Sequence, residues 1–456
     1  MTGLILDILT LLPPVLALAI AVVTRNVYYA LGGAIWISEA LIAGGNPVLG
    51  LLNSVDRAAG VFESGGNTRI LLFCLIIGAL LAYMQKSGGV AALVNRLVSS
   101  GLASTPRRAG MVTVAAGTAL FMETNVSLLS TGIMGRPLFD RLGISRERLA
   151  YLIDSTCAPI SVLILINGWG AYILSLIAGY DFTDPVAIVA ATIPLNFYAL
   201  LTIAGAYLTA ASGRVIGPMR TAETRIETQD ADAVAPSRTI YMALPLAIMV
   251  LGTLGFMLWT GEGNLIRGSG SQSILWAVVV ATLVAFAMLR ASGRFRSGEL
   301  VDMGFKGMGD LLPAVAVIFL SLALGNSLRE LGTGEYMAGL ASAFPAAFAI
   351  PAILFVAAGL TAFATGTSWG TYGILVPLAI PLALGAGVPP ALALAAVMGG
   401  GVFGDHCSPI SDTTIIASFA AGCDHISHVQ TQLPYALIAG AGAVGLYLAA
   451  GLVMVG

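Results

Sequence analysis

Two short stretches gather the side chains of this sequence that could do chemistry. One runs Gly404-Asp405-His406-Cys407-Ser408-Pro409-Ile410-Ser411-Asp412-Thr413-Thr414 and packs two carboxylates, an imidazole and several hydroxyls around one proline. The other, Asp154-Ser155-Thr156-Cys157-Ala158-Pro159-Ile160-Ser161, repeats its Cys-x-Pro-Ile-Ser pattern 250 residues upstream, cysteine to cysteine. Both lie in strongly apolar surroundings. An ionisable group there costs about 3 kcal/mol or more unless it is paired or hydrated, and so marks an ion or proton path. A proline removes a backbone N–H and frees a carbonyl of the preceding turn. Hard cations take oxygen ligands, so Asp154, Asp405 and Asp412, helped by Ser161, Ser408, Ser411 and freed carbonyls, suit sodium or a proton. His406 adjoins Cys407, but no second ligand pair follows at zinc spacing. It is expected to handle protons or line the path. No nucleophile, base and orienting group come together, so no enzyme is expected.

The surroundings of these motifs are those of a membrane. The chain is 57% hydrophobic and 10% charged, with 55 glycines in 456 residues, and its mean hydropathy is +0.92. A soluble domain carries about 25% charge. At roughly 20 apolar residues per helix, about ten spans fit. With a net charge of -2 and no basic tract, nucleic acid is excluded as a partner. Cys74, Cys157, Cys407 and Cys423 have no disulfide or metal spacing. Leu4–Val23 lacks a basic n-region and a cleavage site, so it reads as a retained helix.

Apolar length places single spans at Leu4–Val23, Val27–Ala43, Ile70–Met84, Val186–Ala210, Ile240–Trp259, Ile274–Leu289, Leu311–Leu328 and Pro434–Val455. Leu149–Ala178 and Ala391–Ala421 are too long for straight spans and contain the motif prolines, which predicts helices broken near the membrane centre. Gly110–Glu123 with Val126–Phe139, and Pro351–Thr365 with Trp369–Leu384, are too short to cross and predict two re-entrant hairpins. The hairpin tips are Glu123-Thr124-Asn125 and Thr365-Gly366-Thr367-Ser368, and they are expected to close the cation cage from the opposite side. Asn167, Trp169 and Trp369 are candidate lining residues beside His406. Glu39 and Asp310 read as interfacial, and His425 and His428 as an ordinary cytoplasmic helix end.

Lys and Arg concentrate in cytoplasmic loops, and alternating the spans puts 16 of the 21 basic residues inside. The resulting order is span, span, span, hairpin, broken span, span, twice over. The fold expected is therefore an all-α integral membrane protein of ten spans and two hairpins. Residues 1–211 and 240–456 form inverted repeats, joined by a cytoplasmic linker at 212–239. Inverted repeats with broken helices are a design of secondary transporters, which bind near the midplane where the copies meet.

At Gly404–Thr414 the chain resembles the NhaC family of sodium/proton antiporters, in the ion transporter superfamily, and Cys157–Ser161 with the hairpin pattern extends the likeness over nearly the whole chain. The resemblance implies a dimerising scaffold domain, a mobile transport domain of hairpins and broken helices, sodium as coupling ion, and a multi-pass protein of the cytoplasmic membrane. The function expected is sodium/proton antiport. The alternative is sodium-coupled symport or exchange of a small organic acid or amino acid, because the family includes members assigned to organic solutes; the tips here depart from the Ser-Asn-Thr of the dicarboxylate carriers, which argues against a dicarboxylate ligand.

Overall fold

The computed structural model of the chain describes residues 8–24, 26–89, 92, 96, 104–121, 124–164, 167–224, 237–263, 268–333, 335–336, 346–409 and 411–455. Every regular element among them is helical. Those of ten residues or more are, in chain order, α1 (Leu12–Thr24), α2 (Val27–Ile42), α3 (Pro47–Gly60), α4 (Gly65–Lys86), α5 (Pro106–Ala119), α6 (Thr124–Leu142), α7 (Arg146–Leu163), α8 (Gly168–Ile177), α9 (Phe197–Ser212), α10 (Ile240–Thr260), α11 (Gly270–Ala291), α12 (Ser297–Glu330), α13 (Ile350–Thr365), α14 (Ser368–Gly385), α15 (Pro390–Cys407), α16 (Asp412–Ala421) and α17 (His425–Met454). Among the described residues six helices are long and apolar enough to cross a membrane, or up to nine if each sharply bent pair counts as one span.

Both expected broken helices are broken. α7 stops at Leu163 and α8 resumes at Gly168, bent by 45°; α15 stops at Cys407 and α16 resumes at Asp412. Pro159, however, lies inside α7. The first break falls after Leu163, where the Asn167 side chain accepts from the Gly170 N–H at 3.1 Å and starts a new helix.

Several expectations need correction. Val186–Ala210 is not one span: a short helix, Pro185–Ala191, gives way to a turn containing Pro194 before Asn196 caps α9. Val27–Ala43 is followed by an unexpected helix, α3, turned by 117°. Gly44 and Gly45 make that turn at φ +69° and +88°, and Asn46 with Pro47 starts the next helix. Leu311–Leu328 belongs to the 34-residue α12, which bends by 42° at Pro313. The second hairpin's arms also exceed their expected lengths: Ala347–Thr365 and Ser368–Gly385 have 19 and 18 residues and are by composition long enough to cross. Glu39 is buried and paired with Arg57 at 2.6 Å, while Asp310 is exposed.

Small residues let the helices that carry the second motif approach closely. On α15, a Cβ at Gly400 would fall on the Phe355 carbonyl, and one at Gly404 on the Gly359 carbonyl, both on α13. One large apolar cluster runs through α1, α2, α4, α7–α15 and α17. A second gathers Phe139, Leu149, Tyr151 and Ala206 from α6, α7 and α9 with Ala417 and Ala420 of α16.

Candidate functional site

At the second break, α13 ends on Gly366 at φ +70°, a backbone conformation that favours glycine. This tight turn leaves only Thr367 before α14. The first residue of α14, Ser368, donates to Oδ2 of buried Asp405 twice, from its N–H at 3.1 Å and from its hydroxyl. Ser408 Oγ donates to the Phe363 carbonyl at 2.7 Å, and the Asp412 N–H reaches the Gly366 carbonyl at 3.4 Å. The hairpin tip is thus bonded to both sides of the break. Asp412 opens α16 with an exposed side chain, where the helix N-terminus favours negative charge. Ser411 is buried and its hydroxyl lies 3.2 Å from that of Thr413, while Thr414 Oγ1 bonds the Ser408 carbonyl at 2.9 Å. The Thr365 hydroxyl turns back to Thr361 O at 2.9 Å, on its own helix.

The first break repeats the arrangement with neutral groups. Ser161 Oγ and Asn167 Nδ2 donate to the Phe121 carbonyl at the end of the first hairpin arm, at 3.3 and 3.0 Å. Asn167 Nδ2 also reaches the Ser161 carbonyl at 2.7 Å. Glu123 lies outside the described residues, as does the side chain of Asn125. Thr124 is buried and accepts from Trp169 Nε1 at 3.2 Å. Trp169 in turn packs on Trp369 of the second hairpin, with ring centroids 4.3 Å apart, and Tyr172 stacks on Trp369 at 5.1 Å. The two tips therefore meet across one aromatic pile. These rings pack mainly on one another.

Asp154 stands apart from the hairpin tips. Fully buried, it faces α17: Gln432 Nε2 donates to Oδ2 at 2.6 Å, His428 Nε2 lies 3.4 Å from Oδ2, and His406 Nε2 lies 4.0 Å from Oδ1. His406 Nδ1 is held 2.9 Å from the Tyr198 hydroxyl. Among the described residues no three of the His, Cys, Asp and Glu side chains converge on a metal-sized point. His428 and Gln432 escaped sequence reasoning. The position given to His425 and His428, an ordinary helix end, needs correction: His425 Nε2 lies 2.7 Å from the Pro409 carbonyl of the second break, and His428 is fully buried. The signal that could have found them is spacing, since 425, 428 and 432 share one face of a helix.

Buried polar atoms are nearly always hydrogen-bonded. Here Asp154 Oδ1, Asp405 Oδ1, His406 Nε2, both nitrogens of His428 and Gln432 Oε1 have no such partner among the described residues. This concentration suits groups that share a mobile cation, a proton or water. Next to it, a cavity of about 820 Å³ opens between α6, α7, α16 and the start of α17, lined by Arg136, Arg146, Cys423, Ser427 and Thr431. Arg136 and Arg146 donate to the carbonyls of Phe419, Ala420 and Gly422 and so cap α16.

Comparison with known proteins agrees with this architecture. Residues 160–452 match the profile of the Na+/H+ antiporter family. An uncharacterized protein of Haemophilus influenzae is 32% identical over 94% of this chain and 88% of its own. The malate-2H(+)/Na(+)-lactate antiporter of Bacillus subtilis is 36% identical over 21% of this chain and 20% of its own. The crystal structure of the Alcanivorax borkumensis YdaH transporter superposes with a TM-score of 0.60 at 14% identity, covering 96% of this chain and 98% of that one, and so shows the fold. A helical membrane scaffold with two broken helices, matched to that profile over most of its length, belongs to the Na+/H+ antiporter family and is a secondary transporter, not an enzyme.

Proposed function

We propose that this protein exchanges sodium for protons across the cytoplasmic membrane, and that both ions compete for Asp405 at the second break. One observation carries the reading. The buried Asp405 carboxylate has one oxygen fixed by Ser368 and the other without a partner, beside a break whose backbone is no longer helical. A carboxylate in a dry interior must be neutralised or paired. A proton or a sodium ion can each do this, and their mutual exclusion at one carboxylate is the chemistry of exchange. Asp412, Ser408 and Ser411 supply further oxygens around the break. Asp154 supplies a second carboxylate at a distance from the tips, giving two unequal sites. Residues 1–211 and 240–456 act as inverted copies joined at 212–239, with hairpins and broken helices moving against the remaining helices.

Purified protein in liposomes tests the reading. An imposed sodium gradient should move protons with no organic solute present, and Asp405→Asn should abolish that flux. Should sodium move no protons in the wild type but drive malate or lactate exchange, as the name of the Bacillus subtilis relative suggests, the organic-acid exchanger replaces the antiporter.

A further inference from the structure

The exchange reading leaves one buried group without a role. Gln432 is fully buried in α17, outside both broken helices and both hairpins. Its single amide nitrogen makes two contacts of different kinds, 2.6 Å to Oδ2 of Asp154 on α7 and 3.2 Å to the backbone carbonyl of His406 in the last turn of α15. The side chains of Asp154 and His406 themselves stand 4.0 Å apart at Oδ1 and Nε2. The carboxylate of the first broken helix is thus fastened to the end of the second through one side chain on a third element. One residue before His406 stands Asp405, held to the second hairpin tip.

We propose that Gln432 is a positioning residue for transport. Its amide fixes Asp154 relative to the end of α15, so that the two broken helices rearrange together when the ion at Asp405 changes. Without the amide, sodium still binds at the second break, but the first break no longer follows and turnover falls. This inference rests on the exchange reading for its rate measurement, and on geometry alone for its second readout.

The residue is suited to such a role by its chemistry. An amide offers two N–H donors from one nitrogen, so it can serve a carboxylate and a carbonyl at once without adding charge to a site that already holds one. An unprotonated glutamate offers none. Methionine fills nearly the same volume with no strong hydrogen bond. The groups facing this position are Asp154 on α7, His406 on α15 and His428 on α17 itself, with Tyr198 of α9 behind His406.

The experiment compares wild type, Gln432→Met and Gln432→Glu in proteoliposomes. Gln432→Met should lower the maximal rate of sodium-driven proton flux at least tenfold while the half-saturating sodium concentration stays within threefold. Gln432→Glu should be similarly slow at alkaline pH and should regain rate relative to wild type as the pH falls, because a protonated glutamic acid can again donate to Asp154. A Gln432→Met rate equal to wild type overturns the proposal. So does a rise in half-saturating sodium with an unchanged maximal rate, which would place Gln432 in the sodium site itself. Thiol labelling supplies the second readout: Cys423 lines the cavity just before α17, whereas Cys74, Cys157 and Cys407 are buried. A soluble maleimide should modify Cys423 several-fold faster in Gln432→Met than in wild type, whatever the transported ion. An inert wild type in the flux assay overturns sodium/proton exchange, and equal labelling rates then overturn the positioning role as well.

Discussion

Ser368 gives Asp405 two donors, and the two are separable by mutation. Ser368→Ala removes the hydroxyl and leaves the backbone N–H. A hydrogen bond to a charged group contributes about 1.5–3 kcal/mol, so the half-saturating sodium concentration should rise roughly tenfold or more, with Ser368→Thr close to wild type. A flux titration against sodium measures both, and an unchanged Ser368→Ala would detach the tip from the site. The acids of the two motifs were legible in the sequence because charge is rare in an apolar chain. His428 and Gln432 were not. The 425, 428 and 432 spacing puts them on one helix face, but which neighbours bury that face follows from how the start of α17 packs on α7 and α15, and that lies outside any local pattern. Glu39 was misread for the same reason, since its partner Arg57 comes from the unforeseen helix α3.

At the level of helices, length and proline content predicted that two segments break, and chain chemistry decided where. Pro409 marks its break, whereas Pro159 is tolerated within α7 and Asn167 sets the restart. The first arm of the second hairpin was underestimated because Pro351 reads as its start, whereas a proline is tolerated in the first turn of a helix and here follows the 3-10 turn Ala347–Ala349. The closeness of α13 to α15 was also beyond the sequence, although Gly400 and Gly404 show its cause. A side chain at Gly404 must displace the Gly359 carbonyl and Ala362. Overpacking of this kind costs about 1–3 kcal/mol. Gly404→Val should lower the melting temperature of detergent-purified protein and also abolish flux, because the displaced residue adjoins Asp405. A fully active variant would mean that α13 and α15 separate freely.

Across the whole molecule, the two halves of the chain interlock. Half-helix α16 belongs to the second half, yet it packs with α6 and α7 and has its last carbonyls capped by Arg136 and Arg146 of the first. Cutting the chain at a protease site inserted between residues 224 and 237 should therefore leave two fragments that copurify in mild detergent and still exchange ions. Fragments that part on a sizing column would show these contacts to be weak. The orientation expected from Lys and Arg is checked by an impermeant maleimide, which should label Cys423 from the cytoplasmic side only.

The aromatic pile between the hairpin tips also gives the protein an optical signature. Of five tryptophans, Trp36, Trp259 and Trp276 are 42%, 75% and 39% exposed at the periphery, whereas Trp169 and Trp369 lie ring on ring at the centre. Two indoles that close share their excited states, so their near-ultraviolet circular dichroism depends on the angle between them, 31° in this arrangement. Sliding of α8 past the second hairpin tip would change that angle, and transport could be followed by light absorbed by the unlabelled chain.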